Sequence, residues 1–380
     1  MARYGPGGTR SAALALTAAL AVLATGCAGG PAADRAAQLA AAEQRESPSP
    51  APAPDDDAGG GPSGGEEPGT PGAPDGEPEP TPTDPPAAPA EGSATVERTF
   101  ALDGVSAPWG LAVLPDGALL IGSRDTGTVH RLDPDTGDTT TVGTVQAAEP
   151  ESGRGLLGLD SDGSHVYAFY STASDSRVSR FVYSPDRAEG SQLSPAQGLV
   201  TGMPIESVAN GGAVALGPDE LLYAATAQGG PDQGAAGDVL TRVTLVGGDP
   251  DASHGPGGRV AAGDPGVRAF DWDAVGRLWY LAGDGVLRHL EHGATPGSST
   301  ELDAGLPENA EGLAYASAAL WVSDPLTDVL WRLPLDGADL VADATAVSLG
   351  TGESLRVVRA ADGDRLWALS GSELLEISVS

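Results

Sequence analysis

Residues 110–123 read Gly-Leu-Ala-Val-Leu-Pro-Asp-Gly-Ala-Leu-Leu-Ile-Gly-Ser. Two short apolar runs flank a Pro-Asp-Gly turn, which is the pattern of a β-hairpin. The pattern returns as GLLGLDSDGSHVYAF from Gly155, GAVALGPDELLYAA from Gly212 and VRAFDWDAVGRLWYL from Val267. Two later copies read GLAYASAALWVSD from Gly312 and LRVVRAADGDRLWAL from Leu355. Leu120, Tyr167, Tyr223, Trp279, Trp321 and Trp367 hold equivalent positions, spaced by 47, 56, 56, 42 and 46 residues. Each hairpin is followed by further strand-like sequence, such as Gly127–Leu132 and Val329–Leu333. A period of roughly 40–50 residues with dense turns predicts four-stranded propeller blades. Six copies predict an all-β, six-bladed β-propeller over residues 94–380, its last blade completed by a strand at Thr95–Leu102 that removes an open edge. The repeated Trp and Tyr are expected to pack between blades. Asp116-Gly117 and Asp162-Gly163 are expected to be blade turns.

What precedes the propeller has another texture. Arg3 and Arg10 lead into an apolar run of 13 residues, Ala12–Ala24. That run is too short to span a hydrocarbon core about 30 Å thick. It ends in Leu23-Ala24-Thr25-Gly26-Cys27, and Cys27 is the only Cys of the chain. Small residues directly before a lone Cys resemble a bacterial lipobox. Residues 1–26 then read as a lipoprotein signal peptide, with Cys27 as the lipidation site. The expected location is the extracytoplasmic face of the cell membrane, anchored in the bilayer through acylated Cys27. Residues 27–93 hold Pro, Gly, Ala and acidic residues, with 14 prolines between Pro48 and Pro89. They lack the apolar area to offset chain entropy and are expected to form a disordered acidic tether. Flexible-chain scaling gives such a segment a reach of roughly 45 Å or more.

Composition excludes several functions. The chain has 380 residues, 20 Arg, no Lys and 53 acidic residues, a formal net charge of −33. A surface of that sign repels nucleic acid, so no nucleic-acid partner is expected. One Cys permits neither an internal disulfide nor a thiolate zinc site.

Several segments, taken in order, resemble the soluble quinoprotein glucose/sorbosone dehydrogenases. Pro108-Trp109-Gly110-Leu111-Ala112 with Leu114-Pro115-Asp116-Gly117 is similar to that family's opening blade, as is Arg124-Asp125-Thr126-Gly127. Gly155-Leu156-Leu157-Gly158, the pair Tyr167–Tyr170 with Arg177–Phe181, Asn210-Gly211-Gly212, and Leu355-Arg356-Val357-Val358 continue the resemblance. It implies oxidation of sugars or related alcohols with pyrroloquinoline quinone (PQQ) and calcium, a His as base, and cationic side chains over the quinone carboxylates. Carried over position by position, the base His falls on Ala209. The polar residue before the Gly-Gly-Leu-Leu-Gly segment falls on Gly153, with Arg154 after it. A Gly-His-Arg-Asn segment falls on Gly263–Gly266, with Arg268 nearby. A basic residue falls on Leu326 and the first Arg of the last blade on Ser354, leaving Arg356. The resemblance therefore leaves Arg154, Asn210 and Arg356 as candidate cofactor-binding residues, and no catalytic residue.

The resulting expectation is a degenerate, non-catalytic propeller acting as a binding or scaffold module for a carbohydrate or an envelope protein. One alternative is an active PQQ-dependent sugar dehydrogenase with a non-standard base. Another is a calcium-dependent lactonase-type propeller, for which Glu311, Asn210 and Asp324 are the candidate ligands. The five histidines, His130, His165, His254, His289 and His292, are expected at the surface.

Overall fold

The computed structural model describes residues 84–146, 154–203, 205, 211–226, 238–248, 259–262, 266–291, 298–361 and 363–380. Among them there is no helix, and every regular element is a strand. Strand β1 (Ala94–Ala101) precedes the first blade, β2 (Pro108–Val113), β3 (Leu119–Ser123), β4 (Thr128–Leu132) and β5 (Thr139–Thr144). The second blade is β6 (Leu156–Ser161), β7 (His165–Ser171), β8 (Ser176–Val182) and β9 (Gln197–Met203). The third is β10 (Gly211–Leu216), β11 (Leu222–Thr226), β12 (Asp238–Val243) and β13 (Arg259–Ala262). The fourth is β14 (Val267–Trp272), β15 (Leu278–Ala282), β16 (Leu287–Leu290) and β17 (Thr300–Leu302). The fifth is β18 (Gly312–Ala316), β19 (Ala319–Ser323), β20 (Val329–Asp336) and β22 (Thr345–Ser348), with β21 (Asp339–Leu340) pairing on the end of β20. The sixth contains β23 (Leu355–Ala360), β24 (Arg365–Ser370) and β25 (Glu373–Val379). Its fourth strand is β1, which pairs antiparallel with β25 and joins the two ends of the propeller. The chain is a six-bladed β-propeller, with the innermost strands β2, β6, β10, β14, β18 and β23 in mutual contact around the ring.

The repeat explains the packing. Six apolar clusters fill the six interfaces between neighbouring blades. Each carries one of the equivalent large residues toward the next blade: Leu120, Tyr167, Tyr223, Trp279, Trp321 and Trp367 are all at most 5% exposed. Burying such a side chain contributes roughly 1.5–3 kcal/mol. In three blades the polar end is satisfied by the turn of the same blade. Tyr167 Oη donates to Asp162 (2.9 Å), Tyr223 Oη to Asp219 (2.8 Å) and Trp279 Nε1 to Asp273 (3.0 Å). The turn Asp and the aromatic residue are thus two halves of one device, which is why both recur in the repeat. Gly117 and Gly163 supply the left-handed conformation those turns need (φ +83° and +84°). In the third copy Glu220 occupies that conformation (φ +60°).

The propeller begins earlier than composition suggests. The tether expected through residue 93 gives way to a packed arm at Asp84–Ser93. Arg277 donates to Asp84 (3.1 Å), and Ala88 N–H donates to Leu335 O (2.8 Å). Arg332, 1% exposed, donates to Pro89 O, Ala90 O and Ser380 O. A Cβ on Gly92 would collide with Ser380 O and the Arg332 guanidinium, so this Gly is a packing requirement. Composition conceals the arm because its contacts are mainly backbone carbonyls, which any residue offers. The preceding segments, with Cys27, lie outside the described residues.

Candidate functional site

The six innermost strands surround a cavity of about 460 Å³ at the end where they begin. Trp109 and Leu111 of β2, Leu157 of β6, Val214 of β10 and Phe270 of β14 give it a largely apolar wall. Its charged lining residues are Arg268, Glu311, Arg356 and, deeper, Arg359, with Asn309 beside them.

Register explains the deep part. The residues paired with the six equivalent large residues are Ala112, Asp160, Ala215, Asp271, Ala314 and Arg359. Charged side chains therefore occupy this ring in the second, fourth and sixth blades, and alanines in the others. Arg359 donates to Leu111 O (3.2 Å), Leu159 O (3.3 Å) and Val214 O (2.6 Å), reaching the innermost strands of three other blades. Asp160 accepts from Leu216 N–H (2.6 Å) and Asp271 from Tyr315 N–H (2.8 Å), each bonding the next blade. Burial pushes the Asp271 carboxyl up to about 6, against the backbone donors and Arg359, which favour its charged form. Burial raises Asp160 likewise, again opposed by Arg359.

Nearer the mouth, Arg268 is spent on the protein: it donates to Glu308 O, Ala310 O and Gly283 O. Arg124 bonds Asp125 (3.1 Å) and lies 5.0 Å from the centre of the Trp109 ring. Arg356 lies 5.1 Å from the same ring, and its guanidinium has no hydrogen bond or ion pair among the described residues. Glu311 is likewise without a side-chain partner among them. Burial raises its carboxyl, and Arg356, Arg268 and Arg124 act in the opposite sense.

Of the sequence candidates, Arg356 lines the cavity. Arg154 does not; its Nε is buried without a hydrogen-bond partner. Asn210 and Ala209 lie outside the described residues. Glu311 lines the cavity, whereas Asp324 is buried and accepts from Asn309 and from Leu326 N–H. Among the described residues no group of three or more His, Cys, Asp and Glu is arranged to hold a metal ion. Leu326 is 75% exposed. The expectation of surface histidines fails at two positions. His130 is buried beside Ser123, and His289 is buried against the Trp279 ring with centroids 4.9 Å apart. Both sit on middle strands, whose side chains point into blade interfaces, and burial lowers the pKa of each. His165 pairs with Asp162 at 3.1 Å, outside the cavity. His254 and His292 lie outside the described residues.

Sequence reading missed Arg359, Asp160 and Asp271, although stacking the six copies in register would have exposed them. Trp109, Arg124 and Arg268 were visible only as pieces of motifs, and Asn309 carried no signal.

The glucose/sorbosone dehydrogenase family profile matches residues 105–243. A comparison with curated protein sequences finds no match. Among solved structures, the PQQ-bound form of aldose sugar dehydrogenase from Streptomyces coelicolor is 31% identical, with a TM-score of 0.66 over 77% of this chain and 100% of that one. The soluble aldose sugar dehydrogenase from Escherichia coli, in its apo-form, is 17% identical, with a TM-score of 0.57 over 74% of this chain and 99% of that one. At that identity it shares the fold. A putative glucose dehydrogenase from Thermus thermophilus does the same at 20% identity and a TM-score of 0.58, over 74% of this chain and 99% of that one. With the Streptomyces enzyme covered from end to end, the chain belongs to the glucose/sorbosone dehydrogenase family.

Proposed function

We propose that this chain is a lipid-anchored, extracytoplasmic member of the family whose central cavity binds a small ligand without oxidising it. The observation that carries this reading is the cavity's own chemistry: no imidazole lines it among the described residues, and the family's base position falls on Ala209. Loss of a general base typically costs 10²–10⁴-fold in rate.

The described residues do not fit PQQ. A planar tricarboxylate needs several free cations. Among the described lining residues one guanidinium, that of Arg356, is free, Arg268 is satisfied by carbonyls, and the Glu311 carboxyl shares the space. Membrane attachment rests on the sequence Leu-Ala-Thr-Gly-Cys ending at Cys27. Labelled fatty acid should enter the wild-type protein and not Cys27→Ser, which should be lost from the membrane fraction.

A second reading is favoured by Glu311. A carboxyl with a raised pKa, held in the cavity beside Arg356, is a proton acceptor for an active dehydrogenase with a non-standard base. Titration of the full-length protein with PQQ and Ca²⁺, followed by dye-coupled aldose oxidation, separates the two. Absence of turnover supports the proposal, and turnover of any kind overturns it. Turnover that disappears in Glu311→Gln assigns the base to Glu311, as the second reading has it.

A further inference from the structure

We infer that the cavity takes a hydroxylated carboxylic acid of monosaccharide size, with its carboxylate on Arg356 and a hydroxyl on Glu311. This rests on the binding role proposed above. Arg356 and Glu311 come from the sixth and the fifth blade, line the same cavity, and have no side-chain partner among the described residues. Two half-buried, opposite charges left unpaired are costly unless something else satisfies them. The Arg356 guanidinium carbon lies 5.1 Å from the Trp109 ring centre, and none of its N–H groups meets an acceptor among the described residues. A guanidinium with no protein acceptor keeps its planar N–H fork available, and that fork matches a carboxylate with two parallel hydrogen bonds. Arg268 is less available to the same group, because three of its N–H donors already end on Glu308 O, Ala310 O and Gly283 O.

Glu311 supplies the other half. Its carboxyl accepts a hydroxyl proton when ionised and donates one when protonated, so it suits a neutral hydroxyl in either state. A ligand ammonium would instead share the cavity with the guanidiniums of Arg268 and Arg356, which line it together with Glu311. The bound species is therefore a net anion. A volume of about 460 Å³ and the apolar wall formed by Leu157, Val214 and Phe270 set the size of the occupant.

The test uses three sugars of one ring and different charge: D-glucuronate, D-glucose and D-glucosamine, titrated calorimetrically into the full-length protein. Glucuronate should bind at least tenfold tighter than glucose, and glucosamine weakest. Arg356→Gln should bring glucuronate down to the level of glucose, while Glu311→Gln should weaken both. Arg356→Lys, which keeps charge but not the fork, should retain part of the preference and serves if Arg356→Gln does not fold, which its melting curve reports. Equal affinity for glucose and glucuronate, tightest binding of glucosamine, binding of none of the three, or a preference that survives Arg356→Gln would overturn the inference. Turnover with PQQ would overturn the earlier reading alone and leave the charge preference to be judged on these titrations.

Discussion

Asp271 accepts a hydrogen bond from the backbone N–H of Tyr315 at 2.8 Å, so a carboxyl on the innermost strand of the fourth blade holds the innermost strand of the fifth. Asp160 does the same between the second and third blades. These bonds lie close to the axis, where the blades converge and a change of spacing at one interface is felt at the others.

Asp271 makes stability depend on pH in an unusual sense. Its folded pKa, about 6, lies above its ordinary value of 3.8. The folded state therefore binds the proton more tightly than the unfolded state, and stability falls as pH rises between those values. The loss is at most about 2–3 kcal/mol for this one group. Asp271→Asn should remove that share, so the difference in unfolding free energy between variant and wild type should shift toward the variant from pH 4 to pH 7. Urea denaturation at several pH values checks it; a constant difference would contradict the raised pKa.

Arg359 is the counter-charge of the same ring and the donor to three other blades. Arg359→Leu leaves Asp160 and Asp271 without it and three carbonyls without their donor. Removing one partner of a buried charge network typically costs 3–5 kcal/mol. We expect a loss of about that size by chemical denaturation, and a smaller one in the triple variant that also carries Asp160→Asn and Asp271→Asn.

Glu220 sits at φ +60°, where the equivalent turn of the first copy has Gly117. A non-glycine residue in the left-handed region costs about 1 kcal/mol. Glu220→Gly should stabilise the protein by about 0.5–1 kcal/mol, read as a higher denaturation midpoint with an unchanged slope.

The arm makes a prediction about truncation. Starting the chain at Ser93 in place of Asp84 removes the Asp84 partner of Arg277 and the Pro89 and Ala90 acceptors of Arg332. A buried donor left without its acceptor costs about 1–3 kcal/mol. The shorter chain should melt at lower temperature; an unchanged melting point would show that the arm contributes nothing.

The propeller was legible because its repeat carries a physical unit: a turn between two apolar strands and a large buried residue after it recur from blade to blade, and in three blades that residue bonds back to the turn Asp. The ring closure by β1 was legible on related grounds, since an open last blade would leave an edge. The site was not. Arg356 was found through its motif. Arg359, Asp160 and Asp271 were passed over because each looks ordinary within its own copy, and their meaning comes from facing one another across the axis. Sequence alone presents Glu311 as a candidate metal ligand, whereas in the structure it lines the cavity together with Arg356 and has no side-chain partner among the described residues. The burial of His130 and His289 is not legible in sequence, because local polarity does not reveal that a strand lies in the middle of a blade.

The arm from Asp84 to Ser93 meets the turn after β14, the end of β20 and the end of β25, whereas the cavity opens where the innermost strands begin. The polypeptide thus enters the propeller from beneath, as a stem enters a cup. The rim is left clear of this segment all the way round. An occupant held on Arg356 therefore lies at the opposite end of the propeller from residues 84–93.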